Sequence, residues 1–162
     1  MSNWSNKLAA TPDAQLALLE LSFSNTVPYP LVSSPDASYG GNVVENAIDG
    51  NLGTWWQPVA AASSGDTRTL VIDRGPGAPS ISSVRTRWYA VGYQAIDYTI
   101  ETSPNGTTWT NAATVTANTL ADRTDALSQS DRYVRIVISN WTNKLAATPD
   151  AQLALLEVTL LP

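Results

Sequence analysis

The stretch YTIETSPNGTTW, residues 98–109, has the period of a β-strand and then breaks. Tyr98, Ile100 and Thr102 alternate with Thr99 and Glu101, and β-branched and aromatic side chains on a two-residue period mark a half-buried strand. Ser103-Pro104-Asn105-Gly106 ends it. The Asn-Gly pair predicts a tight hairpin, after which Thr108-Trp109-Thr110 resumes the sheet.

Outward from this hairpin the same grammar repeats. Thr69-Leu70-Val71-Ile72-Asp73 is a strand closed by Arg74-Gly75-Pro76-Gly77. Ile81 to Trp88 alternates imperfectly, Tyr133 to Ile138 alternates cleanly, and Val158 to Leu161 ends the chain. Short strands separated by turn residues are the pattern of an all-β sandwich or barrel. One exception stands out: Thr148-Pro149-Asp150 offers a cap, a first-turn proline and an acidic second residue ahead of Ala151–Leu156. One short helical turn is therefore expected before the last strand. Residues 118–131 read as coil; they contain Asp122 and Asp125, a carboxylate pair with no evident partner or pocket.

Composition removes whole classes of function. The chain has 162 residues, a net charge of −5, no cysteine and no histidine. Thiol nucleophiles, histidine-based triads and the usual zinc sites are excluded, leaving oxygen-ligand metals such as calcium. The only lysines are Lys7 and Lys144. There is no basic stripe for nucleic acid and no basic helix for a membrane surface. No apolar run is long enough for a transmembrane segment. The start, MSNWSNKLAAT, lacks the layout of a signal peptide, which leaves export by other means or a fragment of a longer, extracellular or cell-surface protein, and the fragment is expected.

A duplication sets the domain boundaries. Residues 2–20 recur at 139–157 with one difference, Ser5 against Thr142, at an offset of 137 residues. One complete unit then runs over residues 25–162, and residues 1–24 copy the C-terminal segment, as the tail of a preceding tandem repeat would. The tail carries Leu16, Leu18, Leu19 and Leu21, which are poorly soluble if left bare. A disordered tail and a tail docked as an extra strand, on its own domain or a neighbour, both remain open. Partial order and self-association through this segment are expected.

Six motifs in sequence order resemble the discoidin, or coagulation factor 5/8 type C, family over residues 31–161. They are Val32-Ser33-Ser34; Asn46-Ala47-Ile48-Asp49-Gly50-Asn51 with Thr54 and Trp56; Leu70–Gly75, with Arg74 where the family has Leu; Ser103–Trp109; Arg132–Ile136; and Leu156-Glu157-Val158. The lack of cysteine is most similar to bacterial members such as family 32 carbohydrate-binding modules. The resemblance implies a galactose-binding-domain-like jelly-roll β-sandwich that is not an enzyme and binds a saccharide or glycan.

The loop from Asn46 to Thr54 has the makings of a calcium site by itself. Calcium takes six to eight oxygens. Gly50 and Gly53 let the chain wrap around one point, Asp49 brings charge and Thr54 brings a hydroxyl and a carbonyl. An Asp-Gly turn capped by its own carboxylate is the plainer alternative. The resemblance adds the carbonyls of Asn46 and Asn51 and the side chain of Glu157, with the Leu156 carbonyl as a further ligand, and makes the ion structural.

Sugar rings stack apolar C–H faces on aromatic planes while fixed polar groups meet their hydroxyls. Trp56, Tyr98 and Trp109 fall where the family has core residues. Trp88, at a strand end, reads equally as core or site. Tyr39, Trp55, Tyr89, Tyr93 and Trp141 lie in expected loops at the end where the resembled modules bind ligand, with Tyr89 and Trp141 foremost. Arg68, Asp66 and Asn143 could supply hydrogen bonds. The histidine common in galactose-binding members is missing, which puts galactose in doubt; the acidic charge and the aromatic residues favour a neutral or amino sugar. Two rival functions stand beside this one: a structural repeat that assembles by strand exchange, and a lipid- or protein-binding discoidin domain, the latter disfavoured by the scarcity of lysine.

Overall fold

A computed structural model of the chain describes residues 29–145 and 153–162. Eight strands form two antiparallel sheets. β1 (Leu31–Ser33), β2 (Arg68–Asp73), β7 (Tyr133–Trp141), β4 (Ala95–Ser103) and β5 (Thr110–Val115) make the larger sheet in the order β1-β2-β7-β4-β5. β6 (Asp122–Ala126), β3 (Ser83–Trp88) and β8 (Leu155–Leu161) make the smaller one in the order β6-β3-β8. The all-β sandwich expected from the strand pattern is what forms.

Alternation explains the layering. Leu70 and Ile72 on β2, Val134, Ile136 and Ile138 on β7, and Tyr98 and Ile100 on β4 turn to one face and are buried. Val84, Thr86 and Trp88 on β3 and Leu155 and Val158 on β8 meet them from the other sheet. Burying each such side chain is worth about 1.5–3 kcal/mol, which outweighs local preferences in short strands. The Tyr98 hydroxyl crosses the core and donates to Asp125 at 2.6 Å. Burial and that carboxylate both push the phenol well above its ordinary range.

Four expectations need correcting. Asn105-Gly106 does not make a two-residue hairpin; it lies in the longer loop between β4 and β5. There the Asn105 Oδ1 accepts from the N–H groups of Thr107 and Thr108, both at 2.9 Å, and Gly106 takes a φ of 75°. Trp109 follows that loop on the outer face, half-buried, with the Arg135 guanidinium 4.3 Å over its ring. Asp122 and Asp125 lie on strand β6, not in coil, and point to opposite faces. Asp122 pairs with Arg85 at 2.5 Å, Asp125 with Arg123 at 2.6 Å, and they share no site. The described part of the expected helical turn, Leu153 to Leu156, is extended and leads into β8. The one described helix is a 3-10 turn at Val44–Ile48. The duplicated tail, residues 1–24, and residues 148–152 lie outside the described residues.

Candidate functional site

Two backbone segments bring the expected residues together at one end of the sandwich. Trp56 and Leu155 exchange hydrogen bonds, N–H to carbonyl, at 2.8 and 2.9 Å. Next to them, Tyr89 N–H donates to the Ala154 carbonyl at 3.0 Å, and Ala154 N–H donates to the Tyr93 carbonyl at 3.1 Å. Tyr39 N–H donates to the Gln57 carbonyl at 2.7 Å. Residues far apart in sequence thus converge on one ledge.

The ledge is aromatic. Trp55 and Tyr89 meet edge to face with centroids 5.2 Å apart, and Tyr89 and Tyr93 do the same at 5.3 Å. Such packing fixes ring orientation and is worth about 0.5–1.5 kcal/mol per pair beyond area. Tyr89 is 52% exposed and Tyr39, nearby, 43%. A cleft of about 200 Å³ opens between Trp55, Gln57, Tyr89, Tyr93 and Ala154. That is below the roughly 300–1,000 Å³ of pockets for drug-sized ligands. The polar floor is Gln57, whose Oε1 accepts from Asn42 Nδ2 at 3.1 Å and from Trp55 Nε1 at 3.2 Å. Gln57 and Asn42 were missed in sequence; a Gln two residues after a loop Trp carries no signal until the backbone folds back. Asn143 does not line the cleft. It is exposed in a turn with a φ of 56°, and Thr142 N–H donates to Gln94 beside Tyr93 at 3.3 Å.

Four expected ligand residues are elsewhere. Trp141 is 2% exposed at the end of β7, paired with Ala95, so it is core and offers no face to a sugar. The Arg68 guanidinium lies 5.5 Å from its ring centroid and the Lys144 ammonium 4.8 Å. Trp88 is likewise core. Arg68 is buried and its guanidinium is spent on the carbonyls of Val59, Ala60 and Thr67. Asp66 caps its own turn, accepting from Ala62 and Ser63 N–H at 2.7 and 3.2 Å.

The expected metal residues surround the loop that follows the 3-10 turn. Asp49 accepts from Asn51 N–H at 2.8 Å and from the Thr54 hydroxyl at 2.7 Å. The Thr54 hydroxyl also lies 2.8 Å from the Asn51 carbonyl, and Asn46 Nδ2 donates to the Trp55 carbonyl at 3.0 Å. Glu157 reaches across from β8 to accept Gly50 N–H at 3.0 Å, next to Leu156. Burial, and then the Asp49 charge, hold the Glu157 carboxyl above its ordinary range, against the Gly50 N–H and Arg87. The Glu157 and Asp49 carboxylates, amid backbone carbonyls and a hydroxyl, form an oxygen-only set that a hard cation suits. Among the described residues no three His, Cys, Asp or Glu side chains gather, so such an ion needs carbonyl oxygens as well. Among them, too, no helix is long and apolar enough to cross a membrane.

Comparison with known proteins agrees with this architecture. No curated protein matches the chain. Among solved structures, chitosan-binding module 2 of a chitosanase/glucanase from Paenibacillus sp. IK-5, in complex with chitotriose, is similar. The TM-score is 0.65 and the identity 22%, over 82% of this chain and 96% of that one. The family 32 carbohydrate-binding module of C. perfringens NanJ, in complex with galactose, gives 0.61 and 20%, over 81% and 92%. A family 32 module of Clostridium perfringens in complex with GalNAc-β-1,3-galactose gives 0.65 and 11%, over 82% and 95%. At these identities the likeness is one of fold. The F5/8 type C domain matches residues 31–148, most of the chain. With that match lying across the β-sandwich and its end loops, the chain belongs to the F5/8 type C domain family.

Proposed function

We propose that the domain is a non-catalytic carbohydrate-binding module that stacks one sugar ring, or the end of a chain, on the ledge of Trp55, Tyr89 and Tyr93. Tyr39, bonded to the Gln57 backbone, stands beside it. The observation that carries this reading is the pair of edge-to-face contacts, which hold the exposed Tyr89 ring against the half-buried Trp55 and Tyr93 beside a small cleft. Rigid aromatic faces bind with little loss of side-chain entropy, while Gln57 and Asn42 offer polar partners for hydroxyls. The similar modules solved with saccharides support the reading. With no histidine and a net charge of −5, a neutral or amino sugar suits the site better than an acidic one.

Calcium belongs to the same proposal. Asp49 and Glu157, with the carbonyls of Asn46, Asn51, Thr54 and Leu156, would hold it, and its role is to tie the first loop to the last strand. In a secreted or cell-surface parent protein the domain would keep the chain near its glycan.

Titration of the protein with chitotriose, galactose, GalNAc-β-1,3-galactose and an acidic uronate tests the reading. Saturable binding of at least one saccharide, lost in Tyr89→Ala, supports it. No binding across that panel and a wider glycan array rejects it.

A further inference from the structure

Both tyrosines of the ledge stand on one short connection between β3 and β4, Tyr89-Ala90-Val91-Gly92-Tyr93. Little in its composition stiffens it. It has no proline and no side chain of the kind that caps its own turn, and glycine loses more backbone freedom on ordering than any other residue. Val91, in the middle, is 70% exposed, so burial does not hold it either. The rings of Tyr89 and Tyr93 nevertheless pack edge to face beside the cleft. Hydrogen bonds have to impose that order.

The connection closes as a turn. Tyr93 N–H donates to the Ala90 carbonyl at 3.1 Å. Gly92, third of the four turn residues, takes a φ of 103°, the left-handed sense that a type II turn needs at that place. Ala154 accepts Tyr89 N–H and donates its own N–H to the Tyr93 carbonyl, so one residue of the cleft wall pins both ends. The middle is held differently. A β-turn uses the N–H of its fourth residue and leaves that of its third without a partner inside the turn. Here that third N–H, of Gly92, donates to Gln94 Oε1 at 2.5 Å.

Gln94 is fixed independently of the turn it holds. It is 6% exposed and does not line the cleft. Its carbonyl accepts Thr142 N–H at 3.3 Å, and the next residue, Ala95, is fully buried opposite Trp141. The side chain therefore reaches back from the core to the turn.

We propose that Gln94 is the positioning residue of the ledge: from behind the cleft, its buried amide holds the 89–93 turn so that the Tyr89 ring stays set against Tyr93. This role rests on the carbohydrate-binding reading above. Gln94 touches no ligand. It acts by removing, before binding, freedom that a sugar would otherwise have to remove.

Two variants and the wild type test this. Gln94→Met keeps length and bulk without the oxygen, and Gln94→Glu keeps an oxygen for Gly92 N–H. In the wild type, nuclear Overhauser contacts between the Tyr89 and Tyr93 rings and slow hydrogen exchange at Gly92 are expected. Gln94→Met should lose both while the amide shifts of β2 and β7 stay in place. Chitotriose, galactose and GalNAc-β-1,3-galactose are then titrated in turn. Any that binds the wild type should bind Gln94→Met about tenfold more weakly, as when the competent conformer falls to about a tenth of the population. Gln94→Glu should recover most of that loss, which a role in global stability alone would not require. Ring contacts and Gly92 protection that survive in Gln94→Met overturn the proposal, and so do lost contacts with undiminished affinity. Exchange at Gly92 in the wild type as fast as in a free peptide overturns it without any variant. If no probe binds the wild type, the carbohydrate reading falls, and the ring contacts alone decide whether Gln94 sets the ledge.

Discussion

Trp56 and Leu155 hold each other through two backbone hydrogen bonds of 2.8 and 2.9 Å, and the proposed cleft and the proposed cation loop each use residues within two positions of that bridge. Trp55 and Ala154 line the cleft on one side. Thr54 and Glu157 reach the Asp49 loop on the other. Order in the loop is therefore order in the cleft. Calcium that binds only the folded state adds about 2.7 kcal/mol at a hundredfold excess over its dissociation constant. Chelation is expected to lower the melting temperature by several degrees and to weaken saccharide binding several-fold. Calorimetry in calcium and in chelator checks both. Identical curves would remove the loop as a cation site.

The ledge should behave as surface. Saccharide dissociation constants on the order of 0.1–1 mM are expected of so small a cleft. Tyr89→Ala or Trp55→Ala should weaken binding about tenfold or more, the equivalent of about 1.4 kcal/mol. Tyr89 is half exposed, so its replacement should move the melting temperature only slightly. Full affinity in both variants would place the sugar elsewhere.

Trp141 should behave in the opposite way. It is 2% exposed, and its loss opens a large cavity between β7 and the charged groups of Arg68 and Lys144. Trp141→Ala is expected to cost about 3–5 kcal/mol of stability. Denaturant unfolding measures this; a cost under about 1 kcal/mol would mean the ring is not in the core.

These contrasts show what the sequence exposes and what it hides. β2 and β7 were legible because their inward residues alternate without interruption, as burial of Leu70 and Ile72 or Val134, Ile136 and Ile138 requires. β6, DRTDA, has no such signal. It is a strand because β3 pairs with it residue by residue and Asp125 accepts the Tyr98 hydroxyl, both long-range facts. Trp109 and Trp141 were misread for one reason. A Trp beside a turn has no period of its own, and only the register of β4 with β5 and β7 decides which side it takes. The Asp49 loop was readable as local wrapping around a carboxylate. The meeting of Trp55, Tyr89 and Tyr93 was not, since it depends on how three loops stack.

The Asp49–Glu157 pair also sets a pH response with a worked sign. Glu157 is held above its ordinary value, first by burial and then by Asp49, so the fold prefers it protonated. Without a cation its ionisation costs stability, a cost that grows as pH rises through the raised value and disappears below it. Asp73 is held low by Arg132 and Asp97 by Ala117 N–H, so their contributions run the other way and are lost only in acid. In chelator, Glu157→Gln should therefore melt higher than wild type at pH 7, with the gap closing as pH falls toward the ordinary carboxylate range. In calcium the order at pH 7 should reverse, because the ion supplies the charge that Glu157 lacks. Below about pH 4, near the ordinary carboxylate values, both proteins should lose stability together. Melting curves for the two proteins across this range, with and without calcium, measure each step. A gap that ignores both pH and calcium would mean that Glu157 feels neither Asp49 nor a cation, and that its role ends at the hydrogen bond from Gly50.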